Sequence, residues 1–382
     1  MHLKNLRLQN FRNHLESAFE FSRGINILIG GNGQGKSNVI EAISYLCITK
    51  SFLSKSDNAV LNFGKNLFEV EGEIVSNNNQ PFNIRVAYSD NQKEKIYTIN
   101  KHRIEPFSSV IGKFPVVICS PEHASVTVEG PAARRKFVDF VISQSHNVYF
   151  KNLIEYRHIL KQRNKILLTT NKSTGSDISS LIEPWNKQMA ELGSYLMLTR
   201  KQFVIDFQKY ITEIYKRLTD DDGEPEIQYY PTFKINGNYT CSDIEQIFSN
   251  ELKNKIADEI RFKTSLIGPQ RDEFIFRTNQ KDIRKYASQG QHKTFLIALK
   301  IGEFHYLRDI CHETPILLLD DIFSELDEQR SIKLLEFVDT LSQTFITTTN
   351  PSLFNKNKNT GESIKIFLIQ DGKVNDRTMA AA

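Results

Sequence analysis

The rhythm of polar and apolar positions changes twice along the chain. In the first third, apolar residues fall in short or alternating runs, at 3–11, 17–21, 24–30, 69–75 and 82–88. A period of two, punctuated by turns such as Ser-Asn-Asn-Asn-Gln-Pro at 76–81, predicts strands. One helix interrupts them at about 36–47, directly after a glycine-rich turn. From about residue 134 the spacing shifts to three and four. Leu181, Trp185, Met189, Leu192, Leu196, Phe203, Phe207, Ile211, Ile214 and Leu218 mostly keep it and predict a long amphipathic helix. Helix-like stretches at about 134–168 and 243–262 flank it, with polar loops at 169–177 and 219–226. Then come a helix at about 290–307, the buried-strand run Pro-Ile-Leu-Leu-Leu-Asp-Asp at 315–321 and an apolar strand at 344–349. Residues 375–382 read as a loose end, and no internal repeat is visible. The pattern predicts an α/β chain in two strand-containing halves, 1–135 and 264–382, separated by a mainly helical insert at 136–263.

Length and composition narrow this picture only a little. The 382 residues suit two or three domains at about 150 residues each. Hydrophobic residues at 40% and charged residues at 25% give a chain with a core and exclude a fibrous or wholly disordered one. No apolar run reaches the roughly 18 residues of a membrane span, and the charged opening segment lacks a signal peptide's apolar core. A cytoplasmic location is therefore expected. Cys47, Cys119, Cys241 and Cys311 lie far apart without ligand spacing, which favours small buried side chains over a disulfide or zinc role.

Charge matters through its distribution. Residues 134–218 carry 15 lysines and arginines against 7 acidic residues, a net +8 in a chain whose total is +4. A basic lobe suits phosphate contacts along duplex DNA; a merely soluble amphipathic lobe is the alternative. No helix-turn-helix, zinc finger or RNA-binding aromatic motif is present, so sequence-specific readout is not expected.

The sharpest local signal is Gly30-Gly31-Asn32-Gly33-Gln34-Gly35-Lys36-Ser37, which fits G-x-x-x-x-G-K-[ST] in full. An apolar strand runs into it and a helix leaves it. Glycines let backbone N–H groups turn inward around phosphate oxygens, and the helix N-terminus adds partial positive charge. Lys36 reaches for the β- and γ-phosphates, and the Ser37 hydroxyl is a ligand for Mg²⁺. Asp320 and Asp321 end a fully apolar strand. Asp320 is assigned to Mg²⁺, which prefers hard oxygens, and Asp321 to placing the attacking water. The alternative is an Asp pair that caps a turn. Ser288-Gln289-Gly290-Gln291 opens a long apolar helix and offers a hydroxyl and free N–H groups to an anion. An ordinary helix cap is the alternative there.

Phosphate loop, Ser-x-Gly-Gln and Asp-Asp stand in an order that resembles the ATP-binding cassette head family. In that family Ser-x-Gly-Gln is the signature that completes a second subunit's site. Ser324-Glu-Leu-Asp327 is similar to the family's D-loop. Within the superfamily the chain resembles the RecF family of bacterial recombination-mediator ATPases. Leu8-Gln-Asn-Phe-Arg-Asn13 is similar to its opening strand. Pro121-Glu-His and Gly130-Pro-Ala-Ala-Arg-Arg-Lys-Phe-Val-Asp139 match a Pro-Glu and a Gly-Pro-x-x-Arg-Arg stretch that general cassette ATPases lack. Gly268-Pro-Gln-Arg-Asp272 and the segment from Leu318 to Asp327 match further motifs. The chain departs from the family at Gln270, where His is expected, and at Leu53, where Arg is expected. It has no lid Gln, which leaves Glu122 as a stand-in. It has no switch His, which leaves Thr349 or Asn350 to meet a γ-phosphate.

The resemblance implies an ABC-type ATPase head, a P-loop NTPase with mixed sheets, split by an inserted helical domain. It implies ATP on Arg12 and on the loop from Gly30 to Ser37, with Mg²⁺ on Ser37 and Asp320. It implies weak DNA-stimulated hydrolysis through Lys36, Asp320 and Asp321. Two heads would close with ATP into a homodimer, each offering Ser288, Gln289, Gly290, Gln291 and Asp327 to the other's nucleotide. Arg134, Arg135 and Lys136 would couple the head to DNA or to the second subunit, against the alternative of a solvated helix face. The implied task is recombinational repair and replication-fork maintenance in a nucleoid-associated cytoplasmic setting. The implied partners are double-stranded DNA, single/double-strand junctions, and mediators of the RecR and RecO type. The energising subunit of a membrane transporter is the rival reading, and the Gly-Pro-x-x-Arg-Arg stretch and the split head argue against it. A nuclease-coupled ATPase would need a further domain, and a chromosome-organising SMC protein would need a far longer insert.

Overall fold

The alternating runs of the first third become strands in the computed structural model, which describes residues 1–169, 175–219, 223–235, 237, 239–350 and 364–377. β1 (His2–Phe11), β2 (His14–Glu20) and β3 (Ile25–Ile29) lead into helix α1 (Lys36–Ile48). β4 (Leu67–Val75), β5 (Pro81–Ser89), β6 (Glu94–Ile99), β7 (His102–Arg103) and β8 (Val116–Cys119) follow. The middle contains α2 (Ser125–Val128), α3 (Pro131–Ser145), α4 (Asn147–Thr169), α5 (Gly175–Leu218), β9 (Pro225–Tyr230) and α6 (Cys241–Phe262). It continues with β10 (Glu273–Thr278), β11 (Lys281–Asp282) and α7 (Ile283–Tyr286). The last third holds α8 (Gln289–Cys311), β12 (Ile316–Asp320), α9 (Glu328–Thr340), β13 (Thr344–Thr348), β14 (Lys365–Gln370) and β15 (Lys373–Arg377).

Two compact units result. One comprises Met1–Ala124, Glu213–Asp222 and Ser288–Ala382; the other comprises Ser125–Thr212 and Gly223–Ala287. The first unit contains two six-stranded sheets. The antiparallel sheet runs β2-β1-β4-β5-β6-β7, and β4 alternates buried with half-exposed residues, as a sheet with one covered face requires. The other sheet runs β15-β14-β3-β13-β12-β8. Its four pairings from β14 to β8 bring parallel strands together, and β15 closes it antiparallel. β12 and β13 are buried at every residue, which is why they read as continuous apolar runs. Phe21 packs edge-on against Phe345 at 4.7 Å, and Phe19 against Phe367 at 5.6 Å, so aromatic rings bond the two sheets of this unit.

The second unit departs from the expected insert at 136–263. β10, which lies beyond residue 263, pairs antiparallel with β9 from Glu273↔Tyr230 to Thr278↔Pro225. That pairing carries the unit on to Ala287 and gives it a three-stranded sheet, β11-β10-β9, among its helices. The helix-like stretch at 134–168 is two helices, broken at His146, whose backbone is extended. Residues 170–174, 220–222 and 378–382 of the expected loops and loose end lie outside the described residues. Among the described residues, no helix is long and apolar enough to cross a membrane.

Candidate nucleotide-binding site

The loop after β3 has the shape its glycines allow. Gly33 and Gly35 take φ of +77° and +110°, a region that side chains disfavour. Gly35 is also crowded: a methyl group there would lie 2.5 Å from Asn13 Oδ1 and 2.8 Å from His14 Nε2. At Gly30 a methyl group would strike the backbone oxygen of Ile369 in β14. Gly31, Asn32 and Gly33 are exposed. No side chain caps α1 at Gly35; the Asn38 N–H turns to the Gly35 carbonyl at 3.2 Å, and the N–H groups of Lys36 and Ser37 keep their capacity for an anion. Lys36 Nζ curls back to donate to the carbonyls of Gly30 at 2.8 Å and Gly31 at 2.7 Å. Burial lowers its pKa, against the pull of Asp321 and Asp320.

A second cluster forms at the carboxyl ends of the parallel strands. Ser37 Oγ donates to Asp320 Oδ1 at 2.7 Å. Thr347 Oγ1 donates to the same oxygen at 2.7 Å and accepts from the Asp321 N–H at 2.8 Å. Thr347 sits on β13, the strand between β3 and β12 in the sheet, so it bridges the two carriers of the site. Burial raises the pKa of Asp320, and the hydrogen bonds from Thr347 and Ser37 oppose it. Asp321 leaves the strand with φ +52°, and its Oδ1 is buried without a hydrogen-bond partner. The donor set fits Mg²⁺: two hard oxygens in contact, one on a carboxylate that burial penalises until a cation arrives, with the remaining positions left to water and phosphate.

Three supports of the loop escaped the sequence reading. Asn13 Nδ2 donates to the Gly33 carbonyl at 3.3 Å, and its Oδ1 accepts from Asn38 at 2.7 Å. His14, fully buried, donates from Nε2 to the Gly35 carbonyl at 3.1 Å. The turn between β14 and β15 holds Gln34: the Asp371 N–H reaches its Oε1 at 2.7 Å, and the Gly372 N–H its carbonyl at 3.0 Å. Arg12 is placed differently from the loop residues. Its guanidinium forks onto Glu41 of α1 with two 2.8 Å bonds and also donates to Ala59 O and Ser54, and none of its hydrogen bonds goes to residues 30–37.

Ser288 is an N-cap in the full sense. Its Oγ accepts from the Gln291 N–H at 3.3 Å, and the Gln291 side chain accepts from the Ser288 N–H at 2.8 Å. The cap leaves Ser288 and Gln289 exposed. Asp327 caps α9 in turn and pairs with Arg330 at 2.9 Å. Thr349 and Asn350 lie exposed past the end of β13, and Glu122 is exposed in the turn after β8.

The basic triplet of the second unit separates into three different environments. Arg134 is buried, bonded to the Glu129 carbonyl at 2.8 Å and to Glu273 at 2.7 Å. It cannot reach a DNA backbone without breaking that pair, and of the two expected roles, coupling to DNA or to a second subunit, neither is a free-cation contact here; it ties α3 to β10. Arg135 is half-buried and donates to the Asp272 carbonyl at 2.6 Å, and only Lys136 is exposed. Around them the family stretches converge on Arg200. It donates to Asp139 at 2.8 Å, to the Pro269 carbonyl at 2.6 Å and to Asp272 at 3.3 Å. Tyr149 completes Asp139 at 2.6 Å, and Tyr229 and the Thr232 N–H complete Asp272. Gln270, in place of the expected His, accepts from Tyr156 and donates to the Ile267 carbonyl at 2.7 Å.

Comparison with known proteins agrees with this architecture. A family model described as the RecF/RecN/SMC N terminal domain matches residues 2–375. The DNA replication and repair protein RecF of Salinibacter ruber is 37% identical over 356 residues, covering 93% of this chain and 86% of the relative. That of Chloroherpeton thalassium is 38% identical over 352 residues, covering 91% and 95%. Among solved structures, the recombination mediator protein RecF-ATPrS in the RecFOR pathway superposes with a TM-score of 0.89 at 29% identity, over 99% of this chain and 98% of that one. The Smc head domain of Pyrococcus furiosus gives 0.58 at 14% identity over 99% and 96%, a likeness of fold alone. The transporter reading finds no support among these relatives. The chain belongs to the RecF family, within the RecF/RecN/SMC group of ATPase heads.

Proposed function

We propose that the chain is an ATP-dependent DNA-binding protein of recombinational repair and replication-fork maintenance, in which ATP closes two heads on double-stranded DNA and hydrolysis releases it. The observation that carries this reading is the contact of Ser37 with Asp320 beside a glycine loop whose lysine is curled over its own carbonyls. In that reading Lys36 exchanges the carbonyls of Gly30 and Gly31 for phosphate oxygens, and the loop N–H groups hold the rest of the triphosphate. Ser37 and Asp320 would hold Mg²⁺, which supplies charge neutralisation on the phosphates when bound. Asp321, with its unpartnered buried oxygen, orients a water toward Pγ. The water oxygen bonds to Pγ as the bond from Pγ to the bridging oxygen breaks, a proton of the water passes to the phosphate formed or to solvent, and ADP and phosphate leave. Relatives whose structures are described as RecF-ATP and RecF-ATPrS support nucleotide binding by this fold.

The signature turn from Ser288 to Gln291 and Asp327 serve the second head's nucleotide. The second unit supports the DNA part of the reading, since α4 exposes Lys151, Arg157, Lys161 and Lys165 along one helix. RecR- and RecO-type mediators and single/double-strand junctions complete the partner set, in a cytoplasmic, nucleoid-associated setting. Gel filtration with and without ATP, at low and high protein concentration, tests the switch. A dimer that appears only with ATP is expected, and a monomer indifferent to ATP would refute it. ATP turnover measured with and without duplex DNA tests the stimulation.

A further inference from the structure

Arg330 stands where two of the chain's motifs meet. Its backbone N–H donates to Asp327 Oδ1 at 2.8 Å, and its Nη1 donates to Asp327 Oδ2 at 2.9 Å. The same guanidinium lies over Gly290. A methyl group added there would sit 2.8 Å from Nη1, 3.4 Å from Nη2 and 3.5 Å from Cζ, so the guanidinium would have to move to admit one. The placement is unfavourable taken alone, because a cation over the first turn of α8 opposes that helix's dipole, and the Asp327 carboxylate supplies the compensating charge. The guanidinium is thus held in place from two sides, by the end of the 324–327 loop and by the glycine of the 288–291 turn.

We propose that Arg330 is a positioning residue that locks the D-loop onto the signature turn, so that both meet a second head's nucleotide as one surface. This rests on the head-closure reading above. A lysine at 330 keeps the charge beside Asp327 but loses the planar fork that covers Gly290. An alanine at 290 leaves Arg330 in place but pushes its guanidinium away, so the two changes act on one link.

The test uses the full chain with Arg330→Ala, Arg330→Lys, Gly290→Ala and the double Gly290→Ala/Arg330→Ala. Binding of a fluorescent ATP analogue to each head's own phosphate loop is expected to be unchanged in Arg330→Ala. Its kcat is expected to fall about tenfold with KM little altered, the signature of an interaction made only on the way to reaction. Arg330→Lys should recover only part of the loss. The double variant should be no slower than the slower single, because coupled residues are non-additive. Full rescue by lysine, or multiplying losses in the double variant, would overturn the link. A wild type that dimerises with ATP beside an unaffected Arg330→Ala overturns this proposal alone. A wild type that stays monomeric with ATP overturns the head-closure reading and this one with it.

Discussion

The loop after β3 and the network around Arg200 are both dense in polar side chains, yet they are built on opposite terms. Around Arg200 every buried charge has a partner: Asp139 and Asp272 share its guanidinium, Arg157 adds a second cation to Asp139, and tyrosine hydroxyls and backbone groups take up the remaining capacity. At the phosphate loop the accounts stay open. Lys36 is satisfied only by carbonyls of its own loop, Asp321 keeps a buried oxygen without a partner, and three loop residues face water. Closed networks fix a shape, and open ones wait for a ligand. Family motifs of equal sequence prominence fall on both sides of that division.

Breaking the closed network should have the largest effect. Arg200→Met leaves the buried Asp272 carboxylate without its ion-pair partner and Asp139 with only the exposed Arg157, and a loss of about 3–5 kcal/mol in unfolding free energy is expected by denaturant titration. Burial already pushes the Asp272 carboxyl up against the pull of Arg200, so removing Arg200 pushes it further. Lys36→Ala should behave in the opposite way. ATP turnover is expected to fall by about 10²–10³-fold, the cost of one preorganised donor, while denaturant stability stays near that of the wild type. If both changes unfolded the protein, the division between the two regions would be lost.

A smaller effect sharpens the comparison through pH. Asp320 must be ionised to hold a cation, and burial raises its pKa in the ligand-free fold. As pH falls, it therefore takes up a proton at higher pH than an exposed aspartate, whose ordinary pKa is about 3.9. Calorimetry of ATP binding with Mg²⁺ should show weakening on acidification above that range, with protons released on binding. Metal-free ATP should show much less of this dependence. The smallest expected change concerns DNA. Lys161→Ala and Lys165→Ala, on the exposed face of α4, should each lower the salt dependence of duplex binding by about one unit of slope, without altering stability.

Legibility followed the range over which a feature is built. The phosphate loop, the strand ending in Asp320 and the cap at Ser288 each lie within a few consecutive residues, so their spacing carried them. Thr347, Asn13 and His14 reach the loop only because the sheet order and the β1–β2 turn bring them there, and no local spacing signals it. β9 and β10 are short strands that stabilise one another across 43 residues, from Tyr230 to Glu273, and each was lost among the helices around it. The net +8 of residues 134–218 was true of the chain but not of the surface. Arg134 and Arg163 are buried against Glu273 and Glu259, acids outside residues 134–218, and Arg200 is buried between Asp139 and Asp272, of which only the second lies outside. A charge count along a sequence measures DNA affinity only after such pairs are removed.

The turn between β14 and β15 bears on how this protein is made. It grips Gln34 through two backbone N–H groups, and the Asp371 contact spans 337 positions of chain. The ribosome therefore finishes the glycine loop long before it supplies the turn that completes the loop's hydrogen bonds. A nascent chain halted before Asp371 lacks that clasp. Of the loop supports described above, this one is the last that synthesis supplies.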